Sequence, residues 1–170
     1  MVPADHVIHK DGRFDAAVRL GTELAAKGYL VTFGVPPSRP ETGYGYIQPN
    51  RQRKLARQGK LAGYAVKRFV EKPDEATAAR YLKDGHYYWN SGIFVWRAAT
   101  VLEEIARHQP GLAKCMKAIA SRGPVRTVQG KAADIYRTLT PISIDNGVME
   151  RSSRAAMIPV DFRWSDVGNW

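Results

Sequence analysis

Residues 13–35 constrain the fold of this chain more than any other stretch. Phe14, Ala17, Val18, Leu24 and Ala25 recur at helical spacing, with Asp11 before them as a cap and Gly28 after them as a stop. The run Tyr29-Leu30-Val31-Thr32-Phe33-Gly34-Val35 then reads as a buried strand, because it is short, apolar and β-branched and is ended by Pro36-Pro37. A helix feeding such a strand is the signature of α/β architecture. At 170 residues the chain fits one domain, with roughly 70 % of the unfolded surface buried at this size.

The remaining elements follow from punctuation and periodicity. Pro36 to Gln48 holds Pro40 and the run Gly43-Tyr44-Gly45-Tyr46, which predicts a loop whose glycines let backbone approach a ligand closely. Residues 64–71 alternate as a strand, Asp74 caps a helix that runs through Leu82 and stops at Gly85, and residues 93–96 form a short strand. Helices are expected over 98–108 and 110–121, split by Pro110, and over 131–139, with a further helical stretch at 144–151. Ala155 to Val160 is a last strand, leading into a turn at Trp164-Ser165-Asp166-Val167-Gly168. No repeat, low-complexity tract or linker interrupts this order, so residues 1–170 read as one domain.

The formal net charge of +10 raises the question of a polyanionic partner. Arg51, Arg53, Lys54, Arg57, Lys60, Lys67 and Arg68 crowd residues 51–68 without an acid. Three readings stay open: a solvated basic helix or loop, a rim that steers phosphates, and a nucleic-acid contact. Scarce aromatic interleaving and the lack of a nucleic-acid module rank nucleic acid last. No apolar run approaches the roughly 20 residues of a membrane helix, and the N-terminus lacks a charged region followed by an apolar one, which predicts a cytoplasmic protein with no membrane partner. Cys115 is the one cysteine, which excludes an internal disulfide or a multi-cysteine metal site; it is expected to be inert. His6, His9, His86 and His108 form no metal-ligand grouping beyond His6/His9, which reads as a feature of the following helix start.

Short polar clusters set in apolar surroundings carry the functional signal. Asp5 stands either at the end of a strand, where open α/β sheets bind ligands, or as a cap for the next helix. Asp166, before Gly168, is either a ligand or ordinary turn chemistry. Two carboxylates on one hard cation are how proteins hold Mg²⁺, so if both serve one site the chain ends must meet. Glu71-Lys72-Pro73 closes a strand with an acid for sugar hydroxyls and a compact phosphate partner, or forms a surface ion pair. Asn90-Ser91-Gly92 is a polar notch between Tyr87-Tyr88-Trp89 and Ile93-Phe94-Val95-Trp96, meeting a ligand hydroxyl or a backbone bulge. No Gly-x-x-x-x-Gly-Lys-Ser/Thr, no Gly-x-Gly-x-x-Gly opening a helix and no Gly-x-Ser-x-Gly is present, so the sequence holds no cradle for a nucleoside triphosphate.

Five segments occur in order: Pro3-Ala4-Asp5-His6-Val7-Ile8, Arg39-Pro40-Glu41-Thr42-Gly43-Tyr44-Gly45-Tyr46-Ile47, Phe69-Val70-Glu71-Lys72-Pro73-Asp74, Trp89-Asn90-Ser91-Gly92-Ile93-Phe94 and Trp164-Ser165-Asp166-Val167-Gly168. Together they closely resemble the bacterial mannose-1-phosphate guanylyltransferases, including those fused to mannose-6-phosphate isomerase. The resemblance implies an α/β, partial Rossmann-like nucleotidyltransferase domain, a mixed sheet flanked by helices. It also implies a reaction in which mannose 1-phosphate attacks the α-phosphorus of GTP to give GDP-mannose and pyrophosphate. Carried over, it makes Asp5 and Asp166 the Mg²⁺ ligands and Lys72 the clamp on the sugar phosphate. Glu71, Asn90 and the Gly43-Tyr44-Gly45 loop, through the backbone at Gly45, become the mannose contacts. Asp145, with Glu150, lies in a further motif that usually has Tyr-Ala where this chain has Asn146-Gly147.

The family pattern also begins about a hundred residues earlier, with a Gly-rich loop that holds the triphosphate, and continues past the last motif. The expectation is therefore a central piece of such an enzyme, with no turnover by itself. The alternative is a non-catalytic subunit or interaction module that pairs with a chain carrying the Gly-rich loop. Oligomeric state, a homo-oligomer included, is left open.

Overall fold

A computed structural model of the chain describes residues 1–8, 12–121, 131–162 and 164–166. The chain divides into two compact units, Met1–Arg97 with Ser153–Trp170, and Ala98–Ser152. The first unit is organised by the helix and strand that the sequence marks most clearly. Helix α1 (Arg13–Ala26) buries Ala17, Leu20, Leu24 and Ala25 against strand β2 (Leu30–Val35), where Val31 and Phe33 are fully enclosed. Each such large side chain contributes about 1.5–3 kcal/mol through burial. Gly28, at φ 87°, ends the helix, and the Tyr29 N–H bonds back to the Leu24 carbonyl at 3.2 Å. The expected cap Asp11 lies outside the described residues; Gly12, at φ 77°, occupies the N-cap position.

β2 pairs on both edges. It runs parallel to β6 (Ala155–Pro159) and antiparallel to β5 (Tyr88–Val95). β6 also pairs with β4 (Leu61–Val70), β4 with β3 (Tyr46–Gln58), and the first residues of β3 return to β5 through Tyr46↔Trp89 and Ile47↔Tyr88. The sheet is mixed, as the α/β reading requires, and its pairing closes into a five-stranded ring. Helix α2 (Glu75–Asp84) covers a second cluster, Tyr46, Ala78, Tyr81, Tyr87 and Trp89, with Tyr81 stacked on Tyr87 at 3.9 Å. Its predicted start and stop hold: the Asp74 carboxylate accepts the Thr77 N–H at 2.7 Å, and Gly85 takes φ 71°.

Two expectations change. Residues 51–68 are neither helix nor loop but most of a β3–β4 hairpin turned at Gly59-Lys60. Arg51 to Lys54 show no apolar alternation because their side chains are exposed. The strand expected at 93–96 begins at Tyr88 and passes through the Asn90 notch. There, Phe33 of β2 faces Ser91, Gly92 and Ile93 of β5, so β5 is bulged, with Gly92 at φ 68°.

The second unit holds α3 (Ala98–His108), α4 (Pro110–Ala120), α5 (Lys131–Arg137) and a π-helical turn, Asp145–Met149, in place of the longer helical stretch expected at 144–151. Glu104 of α3 is 1 % exposed and accepts from the Ser152 hydroxyl at 2.5 Å, with His108 Nε2 at 3.3 Å and Arg107 Nη1 at 3.7 Å. Among the described residues no helix is long and apolar enough to cross a membrane.

Two glycines predict opposite responses to alanine. A Cβ on Gly34 would lie 2.7 Å from Met157 Sδ and 2.9 Å from Tyr88 Cβ, so Gly34→Ala is expected to cost about 1–3 kcal/mol. A Cβ on Gly147 would meet Gln109 and Ile142 at an ordinary 3.5 Å. The departure from the family's Tyr-Ala therefore leaves room that alanine fills, and Gly147→Ala is expected to stabilise by about 0.4–1 kcal/mol. Urea unfolding midpoints of the two variants check both signs.

Candidate active site

The ends of the described chain meet. Strands β1 (His6–Ile8) and β7 (Trp164–Asp166) form an antiparallel pair in the register His6↔Asp166, Val7↔Ser165 and Ile8↔Trp164. Directly opposed residues share a face, so His6, Ile8, Trp164 and Asp166 point inward while Val7 and Ser165 are exposed. Asp5 immediately precedes β1, and the ligand atoms of Asp5, His6 and Asp166 all lie within 4.8 Å of one another. Asp5 therefore precedes a strand rather than ending one. Met1 pairs with Phe94 through two 2.9 Å bonds, Pro3 offers no N–H to extend that ladder, and pairing resumes only at His6. Asp166 likewise ends a strand rather than lying in the predicted turn; Val167 and Gly168 are outside the described residues. So is His9, which leaves the His6/His9 reading untouched, whereas His6 itself joins the carboxylates.

An aromatic column runs from this cluster to the loop before β3. Trp164 Nε1 donates to His6 Nδ1 at 3.1 Å, and the two rings meet edge to face at 5.2 Å. Tyr44 lies 5.3 Å from Trp164 on one side and 5.3 Å from Trp89 on the other. Burial raises the Tyr44 pKa above its usual value, and the negative charge of Asp166 adds to the shift. The guanidinium of Arg39 sits 5.5 Å over the Trp89 ring and pairs with Glu41 at 3.0 Å.

The Gly43-Tyr44-Gly45 loop is tied at both ends. Glu41 accepts the Gly43 N–H at 3.0 Å, and Gly45 accepts the Asn90 N–H at 2.7 Å. A Cβ on Gly45 would lie 2.6 Å from Glu71 Oε2 and 3.3 Å from Asn90 Cβ, so a larger residue there would displace the Glu71 carboxylate and press on Asn90. Asn90 is 8 % exposed, and its Oδ1 accepts from Thr32 Oγ1 at 2.8 Å and from the Gly92 N–H at 3.2 Å. The bulge reading of the notch thus describes its geometry, and Thr32 fixes the amide's orientation.

Lys72 follows Glu71 at the end of β4 with φ 44°, the one positive φ outside glycine among the described residues. Pro73 restricts it further, because a following proline ring crowds the helical regions. Such strain costs on the order of 1–3 kcal/mol and persists where the surroundings over-determine it.

Asp145 and Glu150 belong to the second unit, at the start and just past the end of the π-turn. The sequence reading did not single out Arg39, Glu41, Thr32 or Trp164. Their signal was position alone, since Arg39 and Glu41 flank Pro40 ahead of the glycine loop and Trp164 precedes Asp166 by two residues.

A mixed α/β sheet that brings two carboxylates together beside an aromatic column and a glycine loop defines a class, an α/β domain with a candidate ligand site. The chain belongs to the nucleotidyl transferase family, whose profile matches residues 1–170. It is similar to the xanthan biosynthesis protein XanB of Xanthomonas campestris pv. campestris strain B100, at 43 % identity over 171 residues, covering 100 % of this chain and 35 % of that protein. It is also similar to the mannose-1-phosphate guanylyltransferase of Escherichia coli K12, at 42 % identity over 100 % of this chain and 35 % of that one. The chain thus spans about a third of the length of these curated relatives. Among solved structures, a Thermus thermophilus protein described as a mannose-1-phosphate geranyltransferase superposes with a TM-score of 0.79 at 37 % identity, over 99 % of this chain and 46 % of that one. A Helicobacter pylori protein described as a mannose-6-phosphate isomerase gives 0.78 at 30 %, over 97 % and 62 %.

The loop and the strained lysine each yield a test. The Gly43 N–H, and after it Arg39, hold the Glu41 pKa below its ordinary 4.5. A folded-state value below the unfolded one means that this stabilisation is complete above the unfolded value and is lost as pH falls through the folded one. The near-ultraviolet signal of Trp89 should therefore change on acidification below about pH 4.5, with that component absent in Glu41→Gln. At Lys72, glycine removes the strain and a β-branched residue worsens it. Lys72→Gly is expected to unfold no earlier in urea than wild type, and Lys72→Val to lose at least about 1 kcal/mol.

Proposed function

We propose that this chain supplies the sugar-phosphate and metal side of mannose-1-phosphate guanylyltransferase chemistry, in which GTP and mannose 1-phosphate give GDP-mannose and pyrophosphate. The observation that carries the reading is the meeting of Asp5 and Asp166, from opposite ends of the sequence, beside the loop that contains Tyr44 and Gly45. Relatives that carry the guanylyltransferase name align along the whole chain. The substrates, a nucleoside triphosphate and a sugar phosphate, favour a cytoplasmic setting.

Members of the family generally use a divalent metal ion. Two carboxylates offer only hard oxygen donors, which fits Mg²⁺ with its preference for carboxylates and substrate phosphates. When bound, such an ion neutralises charge on the reacting phosphates. In this reading Asp5 and Asp166 hold it. Lys72 meets the phosphate of mannose 1-phosphate as a point charge, and its restricted backbone limits where the ammonium reaches. Glu71 accepts sugar hydroxyls, and Asn90, oriented by Thr32, hydrogen-bonds to the same ring. Gly45 lets the sugar lie against bare backbone, and Gly43 and Tyr44 shape the loop around it. Asp145 is kept as a further substrate contact on the family resemblance alone.

An oxygen of the sugar phosphate attacks the α-phosphorus of GTP; one P–O bond forms there, and the bond to the β-phosphate oxygen breaks as pyrophosphate leaves. Such a displacement needs alignment and charge neutralisation more than covalent help from the protein. Because the sequence holds no triphosphate cradle, the 170 residues are expected to bind the acceptor without turning over. Adding a chain that carries the Gly-rich loop would restore turnover under the alternative of a paired subunit.

Calorimetry with mannose 1-phosphate and Mg²⁺ tests the reading. Binding should be metal-dependent, weaken roughly 10- to 100-fold in Lys72→Ala from loss of a charged hydrogen bond, and lose its metal dependence in Asp166→Asn. Binding unaffected by both substitutions, or robust GDP-mannose formation by the purified chain, would count against it.

A further inference from the structure

We infer that Trp164 keeps His6 out of the coordination shell of the ion held by Asp5 and Asp166, which makes this cluster selective for a hard, oxygen-liganded cation over zinc. The inference rests on the proposed reading of those two carboxylates. Two aspartates and a histidine within 4.8 Å of one another would otherwise be a mixed oxygen–nitrogen site. Zinc binds imidazole nitrogen as readily as carboxylate, whereas Mg²⁺ takes oxygen donors.

The indole N–H decides between them. Trp164 Nε1 is a donor and cannot accept, so its 3.1 Å bond to His6 Nδ1 uses the lone pair of that nitrogen. The single proton of the neutral ring then resides on Nε2. Neither nitrogen is left as a ligand, since one is capped by the indole and the other carries hydrogen. A metal-ligating histidine shows the reverse arrangement, with the ligating nitrogen bare and the other N–H donated to a carboxylate, carbonyl or water. Tryptophan cannot play that accepting part.

Strand register locks the pair. His6 opposes Asp166, Trp164 opposes Ile8, and all four share the inward face, which sets the two rings edge to face at 5.2 Å. Beneath them β5 passes at Gly92, where even a Cβ would come within 3.9 Å of His6 Cε1. Turning the imidazole over would replace Nδ1 by a carbon and leave the indole N–H without its acceptor. Held this way, whichever nitrogen lies toward the carboxylates is either capped by the indole or protonated.

The metal-free protein provides the direct readout. Side-chain ¹⁵N spectra should show His6 Nδ1 as the bare nitrogen and Nε2 as the protonated one. Equilibrium affinities for Mn²⁺ and Zn²⁺ should then change selectively. In W164F the proton is free to move to Nδ1, so Zn²⁺ should bind at least about tenfold more tightly while Mn²⁺ stays within about threefold, and the gain should vanish in W164F/H6A. An Nδ1–H tautomer in wild type, or an unchanged Zn²⁺ to Mn²⁺ ratio in W164F, overturns the role of Trp164. A D166N variant that binds Mn²⁺ as tightly as wild type overturns the reading of the carboxylates instead, and the selectivity claim with it. The wild-type spectrum decides the tautomer whether or not W164F folds.

Discussion

Burial of β2 on both faces, together with pairing along both its edges, is the constraint on which the first unit depends. A strand with no solvated side needs a cover on each face, which α1 supplies on one through Leu20 and Leu24. It also needs its backbone groups satisfied by neighbours, which β5 and β6 provide. The β3–β4 hairpin follows from the same demand, because β4 pairs with β6 and the start of β3 returns to β5. The site inherits its position from this closure. Thr32, in the middle of β2, is fully buried and directs its hydroxyl to Asn90, so the most enclosed strand of the unit also orients a side chain of the notch.

How far this was legible from sequence depended on whether local or distant residues set each feature. The helix at 13–26 and its glycine stop, the buried strand at 30–35 and the Asp74 cap were readable because each is written in neighbouring residues. The hairpin over 51–68 was not, since Arg51 to Lys54 point into solvent and leave no apolar alternation to detect. The bulge at Gly92 was legible only as a polar interruption, because its cause is the register of β5 against β2. Residue chemistry raised Asp5 and Asp166 only as a conditional pair, and the family pattern made them ligands; nothing within either segment states that the other will lie opposite. His6 was set aside for the same reason, as its partner Trp164 lies 158 residues away.

On the proposed reading, the groups that carry chemistry sit on the least self-sufficient parts of the unit. Glu71 and Asn90 press closely on the loop at Gly45, Lys72 occupies a strained backbone position, and Asp5 and Asp166 hang on the three residue pairs of β1 and β7. A two-stranded ladder of that length is marginal in water. Its support is external, from the Met1–Phe94 pairing on one side and the column of Trp164, Tyr44 and Trp89 on the other. The two-stranded ladder is thus tied to the main sheet by the Met1–Phe94 pairing and by aromatic contacts.

That coupling gives ligand and fold a shared energetics. On the proposed reading, an ion held between Asp5 and Asp166 cross-links the strand start of β1 to the strand end of β7, and a sugar phosphate at Lys72 and Glu71 does the same for the end of β4 and the glycine loop. Anything that binds the folded arrangement and not the open one adds to its stability in proportion to the logarithm of its concentration over its dissociation constant. An aromatic column braces those strands by apolar area and ring geometry, and so supports the ladder without occupying the oxygen donors.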